Sequence, residues 1–181
     1  MNKSYFNSIK NTLLSSKPST AIRLLLMVLF VSSFANAATI TSTQSGNWNA
    51  TTTWVGGVVP SSGDAVIIAA NHTVTVNGTY TCASIALGTN NNVATITFSA
   101  ATSQLTVNGL VTLGNAGNNN RRGSLNMTNG GILNCQGFAI ANTGANVFTP
   151  GSGTVVLTAT NTLPNTKFTS FNNLTINFVK L

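Results

Sequence analysis

Apolar residues return in pairs along this chain at an almost constant spacing. Within each pair one position separates the two residues, so both side chains point to the same face of a β-strand. The pairs follow one another at intervals of 29, 29 and 30 residues: Ile67/Ala69, Ile96/Phe98, Leu125/Met127 and Val155/Leu157. A fixed period of this length predicts a coiled fold in which one strand returns once per turn.

Three short strands are predicted in each turn, with Gly and Asn at the corners between them. The first strand comprises residues 65–69, 94–98, 123–127 and 153–157, and the second comprises residues 74–78, 105–109, 133–137 and 174–177. The third carries the pairs Ile85/Leu87, Val111/Leu113 and Phe138/Ile140. Stacking these strands gives an all-β, right-handed parallel β-helix of about four turns of about 29 residues. A β-sandwich is the alternative, although its hairpins would favour two-residue turns and no fixed return.

The first 37 residues have the layout of a secretory signal peptide. Basic residues precede an apolar run at 24–31, and Ala35 and Ala37 stand at the two positions that a signal peptidase reads. The run is shorter than the roughly 20 residues that cross a bilayer, which argues against an uncleaved anchor. We therefore expect a secreted or cell-surface protein with no membrane insertion after cleavage. Its parts are a signal peptide (1–37), an N-terminal capping segment (38–64) and β-helix turns (65–181).

The leader accounts for much of the positive charge. The whole chain has a net charge of +7 and a pI near 10.1, but four of its eight basic residues lie in the leader. The rest of the chain has four basic residues against Asp64, which makes its net charge +3. A nucleic-acid partner is therefore not expected.

The segment before the first strand resembles a known opening motif. It contains Trp48, then the run TWVGGVVP at 53–60, then the run GDAVII at 63–68. This is similar to the opening of the eight-glycine (G-eight) domain, and to the entry segment of β-helix surface proteins secreted by Gram-negative bacteria. The runs GTV at 153–155 and FNNLTI at 171–176 also resemble repeats of such proteins. The resemblance implies an extracellular module associated with glycans or adhesion, in which Gly56, Gly57 and Gly63 are structural; some G-eight proteins degrade hyaluronan.

Few residues offer chemistry. Asp64 is the only carboxylate side chain, whereas glycosidases typically use a pair and calcium sites use several. We expect Asp64 to accept backbone hydrogen bonds in the turn that enters the first strand. His72 is the only histidine, and together with Cys82 and Cys135 it shows no close metal-ligand spacing. The sequence therefore predicts no catalytic residue, metal or cofactor, and no enzymatic activity.

Two cysteines in a secreted protein suggest a disulfide. In the predicted register Cys135 points inward on the third turn and Cys82 lies in a corner of the first. Two turns separate them by roughly 9.6 Å, whereas the Cα atoms of bridged cysteines lie within about 7 Å. We therefore expect two unpaired thiols.

Four residues are candidate glycan contacts. Arg121 and Arg122 follow three asparagines in a predicted loop and match the geometry of acidic sugars; otherwise they are a solvated loop tip. Trp48 and Trp54 are suited to stacking on sugar rings, or else they form an apolar lid over the first turn. A threonine ladder at Thr75, Thr106 and Thr175 is interrupted by Asn134, which argues against ice binding.

The fourth predicted turn contains its second strand, with Leu174, Ile176 and Phe178 as inward candidates, and no third strand. Because a solenoid needs capping, we expect the open end to dock against another molecule or to continue in a longer chain. The function expected from the sequence is a non-enzymatic extracellular structural or adhesive module that binds polysaccharide or a surface protein. The alternative is a carbohydrate-binding or polysaccharide-degrading enzyme fragment.

Overall fold

A computed structural model describes residues 37–89, 91–116, 118–141, 144–164 and 167–177. The described part of the chain is nearly all β, with 49% strand and 4% helix, and its parallel strands stack as a β-solenoid of about five turns. This confirms the predicted parallel stacking over the sandwich, with about one turn more than expected. Of the predicted signal peptide, only Ala37 lies within the described residues. The predicted inward residue Phe178 lies outside them.

The strands of the described part are numbered in chain order. They are β1 (Thr39–Thr41), β2 (Gly46–Asn47), β3 (Ala65–Ile68), β4 (Thr73–Val76), β5 (Thr79–Cys82), β6 (Ser84–Leu87), β7 (Asn92–Phe98), β8 (Gln104–Leu113), β9 (Arg121–Asn126), β10 (Ile132–Ile140), β11 (Val147–Thr149), β12 (Thr154–Leu157) and β13 (Asn173–Ile176). Two short 3₁₀ helices, Thr51–Thr53 and Val55–Gly57, lie between β2 and β3.

These strands form two parallel sheets. The eight-stranded sheet has the order β1-β3-β6-β8-β10-β12-β13, and β5 also pairs with β8. The five-stranded sheet has the order β11-β9-β7-β4-β2. The long strand β8 covers two of the predicted strands, because its first half pairs with β5 and its second half with β6. Parallel pairing already begins at β1, within the segment 38–64 that the sequence assigns to a cap.

Inward side chains stack in columns, that is, in sets of residues paired in register through successive strands. Burial alternates along most strands, as expected for a strand with one face on a core. The columns of the eight-stranded sheet are Ile40, Val66, Ile85, Val111 and Phe138; Ile68, Leu87, Leu113 and Ile140; Tyr80, Leu105, Leu133, Val155 and Leu174; and Cys82, Val107, Cys135, Leu157 and Ile176. The main column of the five-stranded sheet is Val74, Ile96, Leu125 and Phe148.

Part of the predicted phasing is wrong. The third-strand pairs do stack, since Ile85 and Phe138 both pair with Val111. However, β3 and β12 belong to the eight-stranded sheet whereas β7 and β9 belong to the other, so the four apolar pairs do not mark one recurring strand. In β3 the buried residues are Val66 and Ile68. The segment from Ala65 to Ala69 is apolar in both alternating phases, so its sequence does not reveal which phase faces the core.

The turns also differ in length. Along the main column of the five-stranded sheet, Val74 pairs with Ile96 after 22 residues, Ile96 with Leu125 after 29, and Leu125 with Phe148 after 23. Register is imposed only where strands pair, so the corners between them accommodate extra residues. The 29-residue return is therefore real for Ile96 and Leu125 but is not the period of the whole coil.

The two cysteines lie in one inward column. Both are buried and unbonded, with Val107 between them in register, which confirms the prediction of two unpaired thiols two strands apart. Cys82 points inward at the end of β5, so its predicted corner position is wrong. Burial raises the pKa of each thiol to about 12, with the charge of Asp64 adding to the effect at Cys82.

We expect both thiols to be inert in the folded protein, because a buried thiol with a raised pKa forms almost no thiolate at pH near 8. Iodoacetamide should leave the mass of the native chain unchanged. After unfolding without reductant, it should add two carbamidomethyl groups, one to each cysteine. Mass spectrometry measures both results. Alkylation that requires prior reduction would contradict the register, since it would reveal a disulfide.

Candidate functional site

The candidate site residues lie in two separate parts of the coil. The first group lies around the first turns and contains Trp48, Trp54, Gly56, Gly57, Gly63 and Asp64. The second group is Arg121 and Arg122, the first two residues of β9. The structure does not bring these two groups together in one strand pair. Each group is therefore considered by its own contacts.

Trp48 and Trp54 form an aromatic plug at the first end of the coil. Both rings are buried, with 0% and 1% of their surface exposed. They meet edge to face with ring centres 5.2 Å apart, and Trp48 stacks on Tyr80 at 5.8 Å. The Nε1–H of Trp54 donates to the carbonyl oxygen of Trp48 at 2.7 Å. Neither ring face is open to a sugar, so the burial excludes direct stacking and agrees with the alternative of an apolar lid.

The glycines after Trp54 differ in what their positions require. Gly56 and Gly57 have φ values of 73° and 68°, in the left-handed region where side chains are strained. Gly63 has no positive φ, and a Cβ there would meet nothing within 4 Å. The local backbone therefore requires glycine at 56 and 57 and does not require it at 63.

Asp64 ties the first described residues to the turn that precedes β3. Its Oδ2 accepts hydrogen bonds from the amide and the hydroxyl of Ser61 at 2.8 and 2.7 Å, and its Oδ1 accepts one from the amide of Ala38 at 3.1 Å. The hydroxyl of Ser61, then its amide, holds the pKa of the carboxyl below its ordinary value; burial opposes this and the Ala38 amide assists it. These contacts leave the carboxylate no evident role beyond joining two segments.

Arg121 and Arg122 are the first two residues of β9, so their predicted position in a loop is wrong. They pair in register with Asn92 and Val93 of β7, and both side chains are half-buried. One guanidinium nitrogen of Arg121 donates to Oδ1 of Asn115 at 3.1 Å. The arginines therefore extend the strand rather than project from a flexible tip.

The structure brings together one serine and one histidine that the sequence does not reveal as a pair. The Oγ of Ser42 lies 2.9 Å from Nδ1 of His72, thirty residues away. Ser42 is buried and its oxygen also accepts the amide of Ala69 at 2.9 Å. Asp64 bonds Ser61 and Ala38 instead, so the pair lacks the acid that orients a catalytic histidine. The pair therefore has the geometry of a structural contact between two turns rather than of a reactive centre.

Most side chains in two outward columns of the five-stranded sheet are neutral and polar, while Val93 and Arg122 pair in the row beside them. One column contains Thr73, Thr95, Ser124 and Val147, and the next contains Asn47, Thr75, Thr97, Asn126 and Thr149. The threonine ladder that Asn134 is predicted to interrupt does not form: Thr106 pairs with Asn134, and Thr106 and Thr175 lie on the other sheet from Thr75. The sequence contains these residues, but only strand pairing shows which of them align.

Comparisons of the chain with known protein families, with curated proteins and with solved structures gave no match. Within the described ranges, no three His, Cys, Asp or Glu residues lie close enough to hold a metal ion. No helix in that part of the chain is long and apolar enough to span a membrane.

Asp64 should make the stability of the coil depend on acid. Its pKa is lower in the folded state than the unfolded value of about 3.9, so its contribution is complete above that value and is lost as pH falls through the folded pKa. Asp64→Asn should lower the free energy of unfolding at neutral pH by about 1–3 kcal/mol and weaken this acid dependence. Urea unfolding at neutral pH and below pH of about 3 measures both effects.

Ser61→Ala is the matched control, because it removes one donor and keeps the carboxylate. It should destabilise the protein less than Asp64→Asn and retain part of the acid dependence. An Asp64→Asn protein as stable as the parent at neutral pH would contradict the structural role.

Substitution of the two kinds of glycine should separate backbone strain from side-chain space. Gly57→Ala should destabilise the fold by about 1–2 kcal/mol, since a left-handed conformation costs that much for a residue with a Cβ. Gly63→Ala adds the same methyl group in open space without positive φ, and we expect no measurable change. Thermal unfolding compares the two, and equal melting temperatures would contradict the assignment.

Proposed function

We propose that this chain is a non-enzymatic structural or adhesive module that acts outside the cell and binds neutral glycan on the outward face of its five-stranded sheet. The observation that carries the proposal is the stack of hydroxyl and amide side chains on that face, above all the two aligned pairs Thr73/Thr75 and Thr95/Thr97. Their residue type and register match a ligand that presents many uncharged hydroxyl groups.

Parallel stacking arranges these groups as a repeated array. Adjacent strands lie about 4.8 Å apart, so equivalent hydroxyls repeat at that interval across the sheet. Each threonine hydroxyl both donates and accepts a hydrogen bond, as sugar hydroxyls do. The binding of an extended polysaccharide would then come from many weak contacts rather than from one deep pocket.

The location outside the cell is supported by the sequence. The first 37 residues have the charge, apolar run and small residues of a signal peptide. The G-eight-like opening implies the same location and a role in glycan association or adhesion. A surface protein is the second kind of partner that this role would involve.

An enzymatic role receives less support from the contacts of the titratable groups. A polysaccharide hydrolase typically places two carboxyl groups about the scissile bond, whereas Asp64 is the only acidic side chain in the sequence. That carboxylate already accepts three hydrogen bonds from Ser61 and Ala38. Ser42, which contacts His72, is buried, so its hydroxyl is poorly placed to reach a polysaccharide.

Removing two hydroxyls from the face should weaken glycan binding. Thr95→Val with Thr97→Val keeps shape and strand propensity, since valine and threonine are both β-branched. Two lost hydrogen bonds cost about 2 kcal/mol, which corresponds to a roughly 30-fold rise in Kd. Binding to a panel of insoluble neutral polysaccharides, measured by depletion from solution, tests this.

The matched control is Thr79→Val with Thr81→Val, an outward pair on β5 of the other sheet. It removes the same two groups and should leave binding unchanged. Equal losses in both variants would place the site elsewhere, and no binding of the parent to any polysaccharide would reject the glycan proposal. Turnover of a polysaccharide by the parent would favour the enzyme alternative.

A further inference from the structure

The last strand of the eight-stranded sheet has one side without a strand partner among the described residues. β13 pairs in parallel with β12. The amides of Asn173 and Asn177 donate to the carbonyls of Gly153 and Leu157. In a parallel pair alternate residues turn their backbone groups to the partner, so the amides and carbonyls of Leu174 and Ile176 point away from β12. They form an edge to which another strand can bond.

The side chains of β13 continue the core without being covered by it. In register, Leu174 follows Val155 and Ile176 follows Leu157, and both of those preceding residues are buried. Leu174 is nevertheless 40% exposed and Ile176 is 62% exposed. Natural sheet edges are commonly protected by charges, proline or bulges, but β13 contains only Asn, Leu, Thr and Ile.

The rest of this end is already closed by aromatic residues. Phe148 of β11, the last strand of the five-stranded sheet, lies 4.9 Å from Phe168 and 5.2 Å from Phe171 between ring centres. Phe168 also stacks on Phe138 at 4.2 Å. β11 also ends its sheet among the described strands, but the inward ring of Phe148 is covered by these aromatic residues. The inward side chains of β13 have no such cover, and one added strand would supply it.

β1 at the opposite end of the coil also ends the sheet, but the chain itself covers that end. Ile40 of β1 is buried, Ser42 forms an antiparallel bridge with Trp54, and the amide of Thr43 donates to the carbonyl of Thr53. Stacking of copies head to tail would have to displace these contacts. A two-fold arrangement, in which the same edge is used by both partners, requires no such change.

We propose that β13 of a second copy of this chain adds antiparallel to β13, so that two coils join tail to tail. The strand carries no charged side chain, so identical strands do not repel each other. A two-fold axis normal to the sheet keeps the inward side inward in both copies. Leu174 then lies opposite Ile176 of the partner subunit, and both inward columns are covered. The interaction does not rest on the proposed glycan face.

This register makes a specific geometric statement about Thr175. Its backbone groups turn towards β12, so across the two-fold axis it faces its own counterpart as a non-hydrogen-bonded pair. The Cα atoms of such a pair are about 4.5 Å apart, within the range of about 4.4–6.8 Å found for disulfides. Asn173 has no such counterpart, because four residues separate it from the position that it faces.

Sedimentation velocity over a wide range of protein concentration tests the dimer. The purified full chain should show a reversible monomer–dimer equilibrium, and Ile176→Lys should raise the dissociation constant at least tenfold because it places a charge at the joined edge. Val58→Lys is the control, since Val58 is similarly exposed at 56% and lies before β3. Circular dichroism checks that both variants fold. A parent that is monomeric at every concentration, or a dimer unaffected by Ile176→Lys, would overturn the proposal.

Cross-linking tests the arrangement. Thr175→Cys should give a disulfide-linked dimer under mild oxidation, whereas Asn173→Cys should remain monomeric on a non-reducing gel. Cys82 and Cys135 are buried and provide a low background. Equal cross-linking of the two variants, or none in Thr175→Cys, would reject the two-fold antiparallel register.

Discussion

The in-register stacking of inward side chains is the constraint on which the rest of this structure depends. A parallel strand presents every second side chain to the interior, so each turn must place an apolar residue on the one below it. The column from Ile40 to Phe138 satisfies this requirement through five strands of the eight-stranded sheet. The column of Val74, Ile96, Leu125 and Phe148 satisfies it in the five-stranded sheet. The core is therefore one continuous cluster built from short strands that would be marginal alone.

The same stacking restricts the outer surface. Equivalent outward residues lie about 4.8 Å apart, a separation at which identical charges repel. Charged residues make up 5% of the chain, and one outer column consists of Asn47, Thr75, Thr97, Asn126 and Thr149. At the corners, asparagine side chains bond one turn to the next, as Asn77 does to Asn49 at 3.0 Å and Asn118 does to Asn91 at 2.9 Å. Neutral amides can repeat in this way without electrostatic cost.

The sequence predicts the core-facing residues only in strands where in-register stacking leaves a clear apolar–polar alternation. This alternation is clear where polar residues separate the apolar ones, as at Ile96 and Leu125, whose stacking is confirmed. It is ambiguous in β3, where every residue is apolar. The number of residues in the corners between strands can vary from turn to turn. A repeat length measured between two strands therefore does not hold for the other turns. The burial of Trp48 and Trp54, the strand position of Arg121 and the contact of Ser42 with His72 depend on which turn lies above which, and local sequence does not contain that information.

Because each turn contacts only its neighbours, stability in a solenoid is distributed by position. A central strand such as β10 has partners on both sides, and its column residues Leu133 and Cys135 are buried by the strands above and below. Among the described residues the first turn has a strand neighbour on only one side, and Trp48, Trp54 and Tyr80 supply aromatic contacts there. At the other end Phe168 and Phe171 do so for the five-stranded sheet, while Leu174 and Ile176 have one neighbouring strand, β12, within the described ranges. Among the described strands of the monomer, β13 should therefore open at the lowest free energy and exchange its amide hydrogens first.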